Sequence, residues 1–299
     1  AGDARGAIVF DWSGPWWFMC NSLAATCGFT LVYDEVGRPR WHFMAASNGP
    51  GHTLAVAALP DDSILVAGGF ADSWTMISLC DEIDRTAVGG MDGYIARVEE
   101  CGENYLGRMV WLRQIGGQGD DLATSISPYG DDAVIVTGHF GAGSSVGESV
   151  TFSLGEPDAY TLTASGADCA FYAVYDLDGA LLDAGELACG LAAAHPFRSV
   201  STGTGALTSI GTFADAARVG SPAGDLLSLS TTGSSSWFES GFDAAYAVEQ
   251  YGSGIGDNAW ANALALAPSG SVAVGGGFGG ALELGGNASA ATALESADA

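Results

Sequence analysis

The chain has 299 residues, 48% of them hydrophobic, with 45 glycines; it is long enough to bury a core, and no strict Gly-X-Y period runs through it, so disorder and collagen are excluded. Its 35 acidic and 9 basic residues, all nine of them Arg, leave a net charge of −26. That field repels phosphate backbones and anionic membrane surfaces, which argues against nucleic acid and leaves basic partners, divalent cations or a salty medium.

Residues 1–27 form a Trp-rich segment. Trp12, Trp16, Trp17 and Phe18 cluster in it, and aromatics beside acids make a sugar-stacking platform or a protein hot spot, or else plug a core. The apolar run "GPWWFMC" is too short to span a bilayer, and no other run is long enough. Residues 28–48 hold "GFTLVYDEVGRPRWHF", two strand-like runs about a turn.

From there a phrase recurs. "SILVAGGF", "AVIVTGHF", "ALTSIGTF" and "SVAVGGGF" end at Phe70, Phe140, Phe213 and Phe278, which lie 70, 73 and 65 residues apart. A near-constant period marks a repeat architecture. Each run follows a turn ("LPDDS", "SPYGDD", "TGTGA", "APSGS"), and a short apolar run precedes each turn, which predicts a hairpin. Downstream, "GGMDGYIARVEECG", "SGADCAFYAVYDLDG" and "SGFDAAYAVEQYG" place Asp92, Asp168 and Asp243 before an alternating strand. In the first two a fourth strand follows. The third has room for only one strand between Asp243 and Gly256. No sustained helical period is present.

Tandem four-strand units built from local hairpins predict an all-β chain, a β-propeller with four blades' worth of repeats. Small residues crowd the inner strands, and each Phe packs between neighbouring blades. The predicted blades are 49–118, 119–190 and 191–256. A composite blade joins 28–48 to 257–299, closing the ring by laying "GFTLVYDEV" antiparallel beside "SVAVGGGF". The rival is a fragment of a longer array.

"GDDLATSISPYGDDAVIVTGHF" followed by "DCAFYAVYDLDG" resembles the bacterial β-propeller repeat proteins, which are secreted or surface proteins. The resemblance covers residue 28 to the end. It implies the propeller fold and an extracellular, cell-surface or periplasmic place, and it carries no catalytic signature. The spacing exceeds a usual propeller repeat of about 40–50 residues, the excess lying between each Phe and the next Asp.

Six cysteines are present and no C-x-x-C, and the four His are scattered, so zinc and thioredoxin spacing is missing. An even count in an acidic Gly-rich β chain points to an oxidising compartment. Cys169 opens a third strand and Cys189 closes a fourth, with "DLDG" midway between them, so an antiparallel hairpin brings them together as a disulfide. Cys20 with Cys27 and Cys80 with Cys101 are the remaining pairs. Paired acids recur in turns, and Asp120, Asp121, Asp176 and Asp178 are the candidate Ca²⁺ ligands, although Asp and Gly also serve simply as turn formers. "GSSVG" around Ser145 satisfies G-x-S-x-G but is followed by a strand, not the helix a nucleophile elbow needs.

The expected function is a non-catalytic extracellular module that presents loops to a protein or a glycan, with the long connections after Phe70, Phe140 and Phe213 as the contact surface. One alternative is a glycan-active enzyme using acids of the central channel. The other is a protomer of a surface layer or filament, self-assembling through exposed strand edges.

Overall fold

The computed structural model describes residues 2–4, 7–11, 15–19, 26–76, 83–102, 106–142, 147–191, 197–201, 206–220, 227–231, 235–242, 248–267, 269, 271–286 and 289–295. Every regular element among them is a β-strand. Three short strands open the chain: β1 (Gly2–Ala4), β2 (Ala7–Asp11) and β3 (Pro15–Met19). A hairpin follows, β4 (Thr26–Tyr33) and β5 (Pro39–Ser47).

Unit I is the antiparallel meander β6 (Gly51–Ala58), β7 (Ile64–Met76), β8 (Asp84–Cys101) and β9 (Leu106–Gly117). Unit II repeats it with β10 (Asp120–Tyr129) and β11 (Ala133–Ala142). It then makes an excursion through β12 (Ser149–Phe152) and β13 (Tyr160–Thr163), and finishes with β14 (Cys169–Asp176) and β15 (Leu181–Leu191). Unit III has β16 (Arg198–Ser201), β17 (Leu207–Val219), the excursion β18 (Leu227–Ser230), β19 (Ser236–Phe242) and then β20 (Val248–Leu266). β21 (Val272–Gly286) and β22 (Ser289–Glu295) end the order. The third strand of unit III, β19, thus lies ahead of Asp243, and the single strand expected after Asp243 is the fourth strand, not the third. β20 runs straight through as the fourth strand of unit III and the first strand of the next hairpin, with a left-handed Asn258 (φ 50°) where its pairing with β21 shifts register.

The four-strand unit expected from the sequence is therefore present, and the repeated Gly has a cause. Thr53, Ala123 and Ala261 face Gly68, Gly138 and Gly276, each two residues before a repeat Phe, and a register shift follows each pair. The shift pushes the inner backbone against the second strand. A Cβ at those glycines would lie 1.8, 1.9 and 2.0 Å from the carbonyl oxygens of His52, Leu122 and Trp260. Only a residue without a Cβ admits that approach.

The units stack face to face, and each strand divides its side chains between two cores. Ile64, Val66 and Phe70 pack with Trp41, Phe43 and Trp74 of the β4–β5 side. Leu65 and Ala67 turn the other way, toward Val134, Val136, Phe140 and Phe171 of unit II. Ile135, Tyr172 and Val174 face Phe197, Phe213 and Phe238 of unit III. Burial on both faces is why these strands read as continuous apolar runs instead of alternating ones. Phe70, Phe140 and Phe213 are at most 1% exposed, while Phe278 is only half-buried.

Among the described residues no sheet closes into a ring. β5 pairs with β7 and β15 with β17, which merges the units into one nine-stranded and one eleven-stranded sheet. Among the described residues β4 pairs only with β1 and β5, and β21 only with β20 and β22. The expected pairing of residues 28–36 with 272–278, and with it the composite blade, is not formed. Each half-unit instead takes partners closer in sequence, whose loops cost less entropy to close.

Candidate functional site

The excursion after Phe140 builds the most developed surface feature. β12 leaves unit II and pairs with the outer strand of unit I, Val150 opposite Gly117 and Phe152 opposite Ile115. Phe152 anchors it edge-on against Phe171, ring centroids 5.1 Å apart. A tight turn then needs left-handed backbone at Ser153 (φ 52°) and Gly155 (φ 83°), closed by the Glu156 N–H donating to the Ser153 carbonyl at 2.9 Å. This turn delivers Asp158 and Tyr160 beside β15.

There they meet Leu181, Leu182, Asp183 and Ala184 around an open cleft. The Asp158 Oδ2 accepts the Leu181 N–H at 2.6 Å, tying the turn to β15. The Tyr172 hydroxyl donates to Asp183 Oδ2 at 3.1 Å. Burial, then the neighbouring Asp183 carboxylate, push the Tyr172 phenol well above its ordinary range, so it stays a donor. β15 skips Leu182 in its pairing with β14, and Leu182 is left 59% exposed at the cleft; Tyr160 is 47% exposed. The cleft thus offers an aromatic surface and two anchored carboxylates. That chemistry accepts hydrogen bonds from polyols or ammonium groups and rejects anions.

The predicted metal ligands do not converge. Asp120 pairs opposite Ala142 at one end of β11, and Asp176 opposite Ala133 at the other, a separation of roughly 30 Å at about 3.3 Å per residue. Asp176 Oδ1 accepts the N–H groups of Asp178 (3.0 Å) and Ala180 (2.7 Å), which makes it a turn former, with Asp178 inside that turn. Asp120 Oδ1 accepts the Met91 N–H at 2.8 Å and fastens unit II to unit I. Asp121 is buried, and its Oδ1 accepts the Gly141 N–H at 3.2 Å. Burial, with a further push from Asp92, lifts the Asp121 carboxyl to about 8. Asp92 is buried too. It accepts from Gln114 Nε2 at 2.6 Å and from the Val88 N–H at 3.2 Å, and its carboxyl is also raised by burial.

The disulfide expected between Cys169 and Cys189 is present, spanning β14 and β15 with a Cα separation of 4.0 Å. Among the described residues these two sulfurs and Glu186 are the only three donor atoms of the metal-binding type gathered within 4.8 Å. The sulfurs are bonded to each other, and Glu186 accepts the Ser165 N–H at 2.9 Å, so the group serves as structure. Cys27 and Cys101 are also disulfide-bonded. Their expected partners Cys20 and Cys80 lie outside the described residues, as do Trp12 and Ser145. Trp16, Trp17 and Phe18 lie on β3, which among the described residues pairs with β2 alone, and the side chains of that hairpin fall outside the described set.

Asp158, Tyr160 and Asp183 were not singled out by the sequence. The signal was weak: "EPDAY" is an ordinary polar loop until the bulge at Leu182 brings β15 to it. No helix among the described residues is long and apolar enough to cross a membrane. No family model matches the chain, and no curated protein matches it.

Proposed function

We propose that the chain is a non-catalytic extracellular binding module of the propeller-repeat type, and that its ligand seat is the Tyr160 cleft, which takes a neutral or amino glycan. The cleft itself carries this reading. It sits on the long connection after Phe140, the kind of segment in which repeat scaffolds place function. It joins an exposed aromatic to two carboxylates already held in place by Leu181 and Tyr172. A sugar ring stacks on Tyr160 while its hydroxyls donate to Asp158 and Asp183. The disulfides and the three stacked cores supply a rigid support, and disulfides fit an oxidising space outside the cytoplasm or in the periplasm.

Binding to an array of neutral, amino and acidic glycans tests this. The expected outcome is retention of neutral or amino glycans, no retention of acidic ones, and a loss of at least about tenfold, or about 1.4 kcal/mol, in Tyr160→Ala. Equal binding by the wild-type chain and Tyr160→Ala, or a preference for acidic glycans, removes the cleft from the function.

A further inference from the structure

The β4–β5 hairpin and β21, which do not pair with each other, are complementary halves of one repeat. "SVAVGGGF" (271–278) on β21 matches "AVIVTGHF" (133–140) on β11. "CGFTLVYDEVG" (27–37) matches "CAFYAVYDLDG" (169–179), sharing Cys, Phe, Val, Tyr, Asp and Gly at the same places. The turns match as well. Asp34 Oδ1 accepts the N–H groups of Val36 (3.0 Å) and Arg38 (2.7 Å), as Asp176 does in its own turn, and Gly37 (φ 80°) occupies the left-handed place of Gly179 (φ 86°). The β4–β5 hairpin is therefore a third-and-fourth-strand hairpin, and β21 is a second strand.

In units I to III the second strand always carries a third strand on its outer edge: β8 on β7, β14 on β11, β19 on β17. On β21, β22 covers residues 281–286, and no described strand covers 272–280 on that side. Burial shows the same vacancy. Val134, Val136 and Phe140 are buried, whereas Val272, Val274 and Phe278 are half-buried. Phe171 and Tyr175 are fully buried, whereas Phe29 is half-buried and Tyr33 is 47% exposed. An apolar cleft also opens over β19, β20 and β21, with Trp237, Trp260, Val274, Phe278 and Leu282 among its walls.

On the edge of β4 away from β5, β1 covers residues 27–29 and, among the described residues, leaves 30–33 open, and from these complementary edges we infer that residues 272–275 on the outer edge of β21 are an assembly site that takes residues 30–33 of the β4–β5 hairpin of a second copy of this chain, strand to strand and antiparallel. Carried over from unit II, where Val134 faces Tyr175 and Val136 faces Ala173, the register sets Val272 opposite Tyr33 of the second copy and Val274 opposite Leu31. The chain's own hairpin is held elsewhere. β4 and β5 belong to the nine-stranded sheet, with Ala45, Ala46 and Ser47 already paired to β7, while β21 belongs to the eleven-stranded sheet. Such a contact is heterologous, so copies add head to tail into a ring or a filament. A charge of −26 on each copy opposes it, so association strengthens with salt. The inference rests on the repeat and not on the Tyr160 cleft.

Two measurements decide it. Sedimentation velocity of the wild-type chain over a concentration series, at an ionic strength of about 0.5 M, should show the mass rising from the 30.2 kDa of one chain to twice that and beyond. Chains carrying Leu31→Cys and chains carrying Val274→Cys, mixed under mild oxidation, should yield a covalent dimer that neither yields alone. A wild-type chain that stays monomeric at every concentration overturns the inference. So does a mixture without dimer, including the case where the double variant bridges within one chain, which would assign the edge to the chain's own hairpin. Glycan binding on the same samples reports the cleft separately.

Discussion

Asp121 and His139 are buried in unit II, and burial acts on them in opposite senses. Burial lifts the Asp121 carboxyl from an ordinary 3.8 to about 8, and lowers the His139 imidazole from 6.5 to about 4. Asp121 holds its proton in the folded chain across a range where the unfolded chain has lost it. Its contribution is therefore fully present below about pH 3.8 and is lost as pH rises toward 8. His139 is neutral in the folded chain where the unfolded chain is protonated, so its contribution is present above pH 6.5 and lost as pH falls toward 4. Between about 4 and 6.5 the two slopes oppose each other. Above 6.5 the loss from Asp121 continues unopposed by His139. Stability should fall by roughly 2 kcal/mol between pH 6.5 and 8, at about 1.4 kcal/mol per unit. Asp121→Asn keeps an oxygen for the Gly141 N–H and removes the titration. Denaturant melts across this range should show a decline in the wild-type chain and a much flatter profile in the variant. An equal decline in both would move the effect to other groups.

At the scale of the element, the bulged inner hairpin is the unit on which the fold depends. Gly138 faces Ala123 with the register shift beyond it, and a Cβ there would lie 1.9 Å from the Leu122 carbonyl oxygen, an atom of the backbone that cannot swing away. Gly138→Ala should cost about 3 kcal/mol through overpacking. Gly130→Ala in the turn, with open space around it but a left-handed φ of 66°, is the milder comparison, at about 1 kcal/mol. Urea melts of the two variants rank them, and the reverse order would show that the bulge yields. The sequence made the hairpins and the Cys169–Cys189 bridge legible because each depends on contacts within one unit, and the repeat Phe legible through its period. "DLDG" midway between the two cysteines sufficed for the bridge. It did not reveal where β4 and β21 would pair, because a strand edge can satisfy its hydrogen bonds with any neighbour that chain entropy favours, and β1, β5 and β7 lie closer to β4 than β21 does. The Tyr160 cleft was hidden for a related reason: it needs the bulge at Leu182 and an excursion docked on a different unit, and neither leaves a local pattern.

For the whole molecule, charge sets the terms. Among the described residues Arg40, Arg97, Arg108 and Arg113 pair with carboxylates, but 35 acids against 9 Arg leave most of the surface repelling itself. Exposed pairs of this kind are worth at most about 1 kcal/mol each, so they do not offset that repulsion. Screening should therefore stabilise the fold. The melting temperature should climb with added NaCl, most of the rise coming by about 0.15 M, where the Debye length is near 8 Å. Divalent cations separate screening from coordination. Asp120, Asp121 and Asp176 give oxygens to backbone N–H groups, and the two pairs of candidate ligands stand at opposite ends of β11. At matched ionic strength CaCl₂ and MgCl₂ should then raise the melting temperature alike, without saturating at micromolar concentration. A Ca²⁺-specific rise saturating in that range, abolished by Asp120→Asn or Asp176→Asn, would mean that these carboxylates exchange their backbone partners for an ion, and that the turns they cap are metal loops.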